Sequence, residues 1–294
     1  MASVVCIGEC MLELSTHDSN LYKKAFAGDT LNTAIYLKKE LGESHAVHYA
    51  TKIGQDSISK ELPSYLSKYN IKTNLVQTSS TKNIGLYAID LVNGERHFTY
   101  WRNDSAAKTL FDDLSSACAI EMMNHDYLYF SAISVAILND KQAFFALIKQ
   151  AKDKGKTIIY DANYRPALYA NKQQAQALHE QALKLTTIYL PSIEDEQALS
   201  GELNASQIIE KSLTLGVTEI VLKQGSEQIA YYDDDTIKSI PIQALQPVDT
   251  TSAGDSFNGA YLAARIKGLN KTDAIGAGVR LSQQVIMKKG AIIF

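Results

Sequence analysis

The feature that most constrains this chain is an alternation that begins after about Asp126. Short apolar runs at 127–130, 157–160, 187–190 and 219–223 are separated by longer stretches of helical period at 141–152, 173–185 and 205–215. Runs this uniformly apolar belong to strands covered on both faces, and strands that alternate with helices build a parallel sheet between helical layers. Upstream, 4–7 reads as a further buried strand ending at Gly8, 11–15 as a short extended piece and 47–50 as another strand. Leu31, Ala34, Ile35 and Leu41 repeat at helical spacing before Gly42, and 57–69 is a second helical pattern. Downstream, 229–232 and 236–240 flank Asp233-Asp234-Asp235 as a hairpin, and helices over 254–267 and 272–288 finish the chain. With no internal repeat and no linker-like tract, the expectation is one α/β domain over 1–294.

The segment 84–101 breaks the pattern. Two extended runs surround Asn93-Gly94, a strong hairpin signal. A two-residue turn sets Val92 opposite Glu95, Ile89 opposite Phe98 and Tyr87 opposite Tyr100. Side chains alternate faces along a strand, so Tyr87, Tyr100 and Arg102 share one. Such a group can close over a polar ligand; the residue types fit a cross-strand pair beside a solvated arginine as well. Trp101, on the other face, is expected to pack.

Composition narrows the partners. There are 29 Lys and Arg against 32 Asp and Glu, a net charge of −3, with no dense basic cluster, so neither nucleic acid nor an anionic membrane is expected as a partner. The three cysteines, Cys6, Cys10 and Cys118, make no disulfide framework and no zinc site, and read as buried free thiols. The N-terminus runs straight into a strand and no stretch approaches the ~20 apolar residues of a membrane span, so a cytoplasmic protein without a signal peptide is expected. The six histidines, His45, His48, His97 and His125 among them, are scattered and read as surface or satisfied core residues.

The chemistry concentrates in Asp249-Thr250-Thr251-Ser252-Ala253-Gly254-Asp255-Ser256-Phe257. Small residues lead directly into a helix there. The first N–H groups of a helix lack internal partners and its dipole is positive at that end, so an anion can be held where glycine lets it approach. The Ala253, Gly254 and Asp255 N–H groups can steady charge on a transferring group, and Asp255 can take a proton from an attacking hydroxyl. An isolated Gly-Asp would read as a helix cap; the whole string in an α/β chain favours the anion site. No Gly-x4-Gly-Lys-Ser/Thr is present, and Gly276-Ala277-Gly278 falls inside a helix rather than after a strand, so neither a P-loop nor a dinucleotide fingerprint is read.

That string resembles the C-terminal signature of the ribokinase or PfkB family of sugar kinases, Asp-Thr-x-x-Ala-Gly-Asp, and the resemblance runs through nearly the whole chain. Gly28-Asp29-Thr30-Leu31-Asn32 is similar to the family's N-terminal glycine motif, Thr51-Lys52-Ile53-Gly54-Gln55-Asp56 to its Gly-x-Asp turn, and Lys223-Gln224-Gly225-Ser226 to the Lys-x-Gly segment beside ATP. Gly8-Glu9-Cys10-Met11-Leu12-Glu13-Leu14, Tyr100-Trp101-Arg102-Asn103 and Asp161-Ala162-Asn163-Tyr164-Arg165-Pro166 narrow it to the 2-keto-3-deoxygluconate kinases. The resemblance implies a ribokinase-like three-layer sandwich with a mostly parallel sheet, and a small β lid from about 9–30 and 84–103. It implies ATP-dependent phosphorylation of the sugar acid with Mg2+, leaves room for a monovalent cation, and suggests a homo-oligomer. Carried over residue by residue, Gly28, Asn32, Tyr87, Tyr100, Arg102, Arg165 and Asp255 bind the acid; Asn163, Ser192, Lys223, Gly225, Ser226 and Gly254 bind ATP; Asp255, Gly254 and Ala253 carry the catalysis. Two arginines suit a carboxylate, which a planar guanidinium holds with two parallel bonds. The chain departs from the family at Ala27-Gly28, where Gly-Gly is common, and at Ser192-Ile193-Glu194-Asp195 in place of Asn-x-x-Glu. Glu194 and Asp195 are thus either magnesium-related or simply favourable acids at a helix start. The alternatives are a kinase of fructose, ribose or another sugar, and a non-catalytic sugar-acid-binding regulator on the same scaffold.

Overall fold

The structure, a computed structural model, describes residues 1–18, 21–92, 95–113, 116–201 and 203–294. The strands are β1 Ser3–Ile7, β2 Met11–Asp18, β3 Leu21–Ala27, β4 Ala46–Ile53, β5 Val76–Thr78, β6 Gly85–Val92, β7 Glu95–Trp101, β8 Tyr127–Ser131, β9 Thr157–Asp161, β10 Ile188–Tyr189, β11 Glu219–Gln224, β12 Gln228–Asp233 and β13 Thr236–Pro241. The helices are α1 Asp29–Leu41, α2 Leu62–Lys68, α3 Ala117–Met122, α4 Ala132–Ile137, α5 Lys141–Asp153, α6 Lys172–Leu185, α7 Ile193–Ser200, α8 Ala205–Thr214, α9 Ala253–Ile266 and α10 Lys271–Ile286.

Nine strands form the main sheet in the order β13-β12-β11-β10-β9-β8-β1-β4-β5, parallel except where β12 and β13 add antiparallel at one edge. Alternate residues of β1 feed two cores. Val4 and Cys6 pack with Leu31 and Ile35 of α1, Leu62 of α2, Tyr261 of α9 and Ile275 of α10. Val5 and Ile7 pack with Phe144 and Ile148 of α5, Leu183 of α6 and Ile208 of α8. This is the layered α/β arrangement expected from the alternating pattern. The cysteine reading holds: Cys6 and Cys10 are buried free thiols and Cys118 is free and half-buried.

A second sheet, β3-β2-β6-β7, stands apart from the first. Its β6–β7 hairpin has the register counted from the sequence, Val92 with Glu95, Ile89 with Phe98 and Tyr87 with Tyr100. The Asn93-Gly94 turn itself lies outside the described residues. One face carries Met11, Ala27, Tyr87 and Ile89 as a small apolar cluster. The other sends Leu12 and Phe26 into the main core, where the Phe26 ring lies 5.3 Å from Tyr65 of α2. Trp101 departs from expectation: it is 59% exposed, at the end of the edge strand β7. Among the described residues no helix is long and apolar enough to cross a membrane.

Candidate active site

Close packing of two helices builds the centre of the site. A Cβ on Gly259 of α9 would come within 2.7 Å of Tyr36 Cβ and 2.8 Å of Leu37 N of α1, so only glycine allows this approach. It brings Asn32 of α1 beside Asp255 of α9: Asn32 Nδ2 donates to Asp255 Oδ2 at 2.9 Å, and Ser252 Oγ donates to the same oxygen at 3.0 Å. Burial, with the Asp29 carboxylate next in weight and Asp161 adding to it, pushes the Asp255 acid up to about 7. A base poised there suits proton abstraction near neutral pH.

The start of α9 has no side-chain cap. Ser252, at the cap position, is held in the left-handed region at φ 64°, an unusual conformation for serine, and its hydroxyl goes to Asp255 rather than to a backbone N–H. Ala253 corrects one expectation: its N–H donates to Thr250 O within the turn, so it is not free to bind an anion. The Gly254 and Asp255 N–H groups make no backbone hydrogen bond among the described residues. A Cβ on Gly254 would meet only Lys223 Nζ, at 4.0 Å, so the glycine leaves open space that an ammonium overlooks.

These groups line one cavity of about 510 Å³ beyond the carboxyl ends of β9, β10 and β11. Gly28, Asn32, Tyr87, Tyr100, Asn163, Arg165, Ser192, Glu194, Asp195, Lys223, Gly225, Ala253, Gly254 and Asp255, all expected from the sequence, are on its walls. The Tyr87 and Tyr100 rings sit 5.7 Å apart there. Gly28 is needed for a close approach: a Cβ would fall 2.4 Å from Glu9 O. Asn163 Nδ2 donates to Asp29 Oδ2 at 2.8 Å. Arg165, 55% exposed, donates to Tyr164 O at 2.8 Å and lies 3.4 Å from Asp195. Ser192 caps α7 through Asp195 N, and Asp195 also accepts from Tyr164 N at 3.1 Å; burial pushes the Asp195 acid up.

Two expected residues stand elsewhere. Arg102 is off the cavity wall, its guanidinium turned to the buried Glu9 carboxylate in an ion pair. β7 ends at Trp101, so strand alternation no longer governs where Arg102 points. Ser226 is exposed in the turn after β11 and is not on the wall. Three residues that sequence reasoning passed over belong to the site: Asp29 and Asp161 on the wall, and Asn258 beneath it. Asp29 and Asp161 stood inside quoted motifs, at a helix start and a strand end, and could have been read from that position; Asn258 gave no signal of its own.

A helix start with two amides that make no hydrogen bond among the described residues, a lysine beside it and a half-buried acid near neutrality together suit the transfer of a phosphoryl group. The whole chain, residues 1–294, matches the model of the pfkB family of carbohydrate kinases, and the protein belongs to that family. Such kinases use ATP with Mg2+. Among similar proteins, 2-dehydro-3-deoxygluconokinase of Escherichia coli (strain K12) is 37% identical over 99% of this chain and 96% of its own. The enzyme of that name from Haemophilus influenzae is 35% identical, over 100% and 96%. The solved structure of 2-dehydro-3-deoxygluconokinase from Thermotoga maritima superposes with a TM-score of 0.86 at 19% identity, covering 100% of this chain and 96% of that one, which establishes the shared fold.

Proposed function

We propose that the protein transfers the γ-phosphoryl group of ATP to the terminal hydroxyl of 2-dehydro-3-deoxygluconate. One observation carries the reading: Asp255, Lys223 and the uncapped start of α9 converge on a cavity whose other walls hold Tyr87, Tyr100 and Arg165. The first group suits a phosphoryl donor and the second a small polar acid. The full-length similarity to the named gluconokinases supports the same substrate.

In this reading Asp255 accepts the proton of the attacking hydroxyl, and Asn32 keeps its carboxylate in place through Nδ2. Asn32 Oδ1 is buried without a protein partner among the described residues, a free acceptor for a second sugar hydroxyl. Gly254 and Asp255 N–H groups, with Lys223, stabilise negative charge on the transferring group. Ile229, Ile242 and Val279 give the nucleotide end of the cavity an apolar lining for the base. Glu194 and Asp195 bring carboxylate oxygens to the wall, a donor type that fits a hard cation, and they would hold magnesium largely through water. When bound with the nucleotide, magnesium would supply positive charge that offsets that of the phosphates. The sheet β3-β2-β6-β7 serves as a lid that excludes water, which limits idle ATP hydrolysis. In this reading Arg165, on the cavity wall, receives the carboxylate, while Arg102 would have to leave Glu9 to do so.

A coupled ADP-release assay over 2-dehydro-3-deoxygluconate, fructose, ribose and related keto acids tests the reading. The keto-deoxy acid is expected to give the highest kcat/KM. Preference for an uncharged sugar would replace the substrate, and acid binding without ADP release would replace catalysis with a regulatory role.

A further inference from the structure

Helix α9 carries a second polar group below the base. Asn258 lies three residues after Asp255, on the same face, and is fully buried. Its amide is engaged at both ends. Nδ2 donates to Asp161 Oδ2 at 2.9 Å and to the Tyr129 hydroxyl at 3.2 Å, and Oδ1 accepts from Lys223 Nζ at 2.9 Å. The orientation is forced by these partners, since only the amide oxygen can accept from an ammonium and only its NH2 can donate to a carboxylate. Asp161 stands 3.7 Å from Lys223 Nζ as well.

Lysine has a flexible four-carbon stem and no aim of its own. Here the ammonium is held beside the first turn of α9, where the Gly254 and Asp255 amides make no backbone hydrogen bond among the described residues. A second tie fixes the same interface. Glu219, four residues before Lys223 on the same face of β11, accepts from Arg265 at 3.0 and 2.7 Å and from the Tyr261 hydroxyl at 2.6 Å. Asn258, Tyr261 and Arg265 follow one stripe of α9, so strand and helix are pinned at both ends.

We propose that Asn258, oriented by Asp161, is a positioning residue that aims Lys223 at the phosphate oxygens gathered at the start of α9. The proposal rests on the kinase reading above. Because Asn258 and Asp255 ride on one rigid helix, the cation and the base keep a fixed separation whatever the lid does. Asp161 is surrounded by donors from Asn258, Tyr129 and Lys223, so its charge is met inside the protein rather than turned on the nucleotide.

A double-mutant cycle in kcat tests this, with wild type, Asn258→Ala, Lys223→Met and the pair, at saturating ATP and sugar. Asn258→Ala is expected to lower kcat by about 10–100-fold, the scale of a misplaced catalytic group. In the Lys223→Met background it should cost less than about twofold, because the group it aims is gone. The KM for the sugar should stay within about twofold throughout. Multiplicative losses in the two backgrounds, or a full kcat in Asn258→Ala, overturn the proposal. Should Asn258→Ala not fold, the nearly isosteric Asp161→Asn is read in the same cycle under the same criteria. A wild type that phosphorylates no sugar in the panel would sink the kinase reading and this proposal together; a wild type that turns over while the losses multiply would sink this proposal alone.

Discussion

Replacing Asp255 by asparagine should abolish catalysis and at the same time make the protein more stable, in a way that depends on pH. Burial and the Asp29 and Asp161 carboxylates raise the acid from 3.8 to about 7 in the folded protein. An acid with a raised folded value contributes stability that is fully present below its unfolded value and is lost as pH rises through the folded value. Ionising it in the native site therefore costs up to about 4 kcal/mol above pH 7, at about 1.4 kcal/mol per tenfold change in its acidity, and about 2 kcal/mol where solvent at the half-buried carboxyl screens it. Asparagine escapes this cost, and its oxygen can still accept from Asn32 Nδ2 and Ser252 Oγ. With an unfolding entropy of roughly 2 cal/mol/K per residue, a chain of 294 residues gains about 3–7 °C in Tm from that amount. The assay is thermal melting without nucleotide, which would otherwise shift Tm by mass action. The full gain is expected at pH 8 and less than half of it at pH 5. At pH 8 kcat should fall by about 100-fold or more. A variant that melts no higher than wild type at pH 8, or gains equally at both pH values, would refute the account of Asp255 as an acid held against its own charge.

Three further outcomes follow from the same geometry. The kcat/KM of the wild type should rise with pH and level off above about 7, as Asp255 loses its proton; Asp29→Asn, by removing a neighbouring negative charge, should move that midpoint down in a pH–rate profile. Arg165→Met should raise the KM for the keto-deoxy acid by roughly 10–100-fold, the scale of a charge-assisted pair, with little effect on any residual turnover of neutral sugars; steady-state kinetics on both substrates read this. Glu196→Ala removes the buried acceptor of the Tyr189 hydroxyl, and urea unfolding should show a loss of about 1–3 kcal/mol.

How far the molecule could be read from its sequence depends on the range of the information involved. The main sheet was legible because strands covered on both faces are continuous apolar runs, and β8, β9 and β11 stand where those runs are. The β6–β7 register was legible because a two-residue turn fixes every pair that follows it. β3 was not, since Leu21 to Lys24 are exposed and carry no apolar alternation, and neither was β5, at three residues. Alternation also says which side a residue takes but not what lies over it, which is why Trp101 was expected to pack and is bare. The same limit governs the site. The string around Asp255 announces itself because helix start, glycine and acid are neighbours in the chain. Arg102 and Glu9 are 93 positions apart, Lys223 and Asn258 are 35, and Asn258 and Asp161 are 97. No local pattern records that one arginine is already spent on a buried carboxylate or that an asparagine stands beneath a lysine. Those pairings arise only when parallel strands bring their carboxyl ends together and Gly259 lets α1 close on α9. The residues of the α9 start are therefore written locally, while the groups packed against them are products of topology.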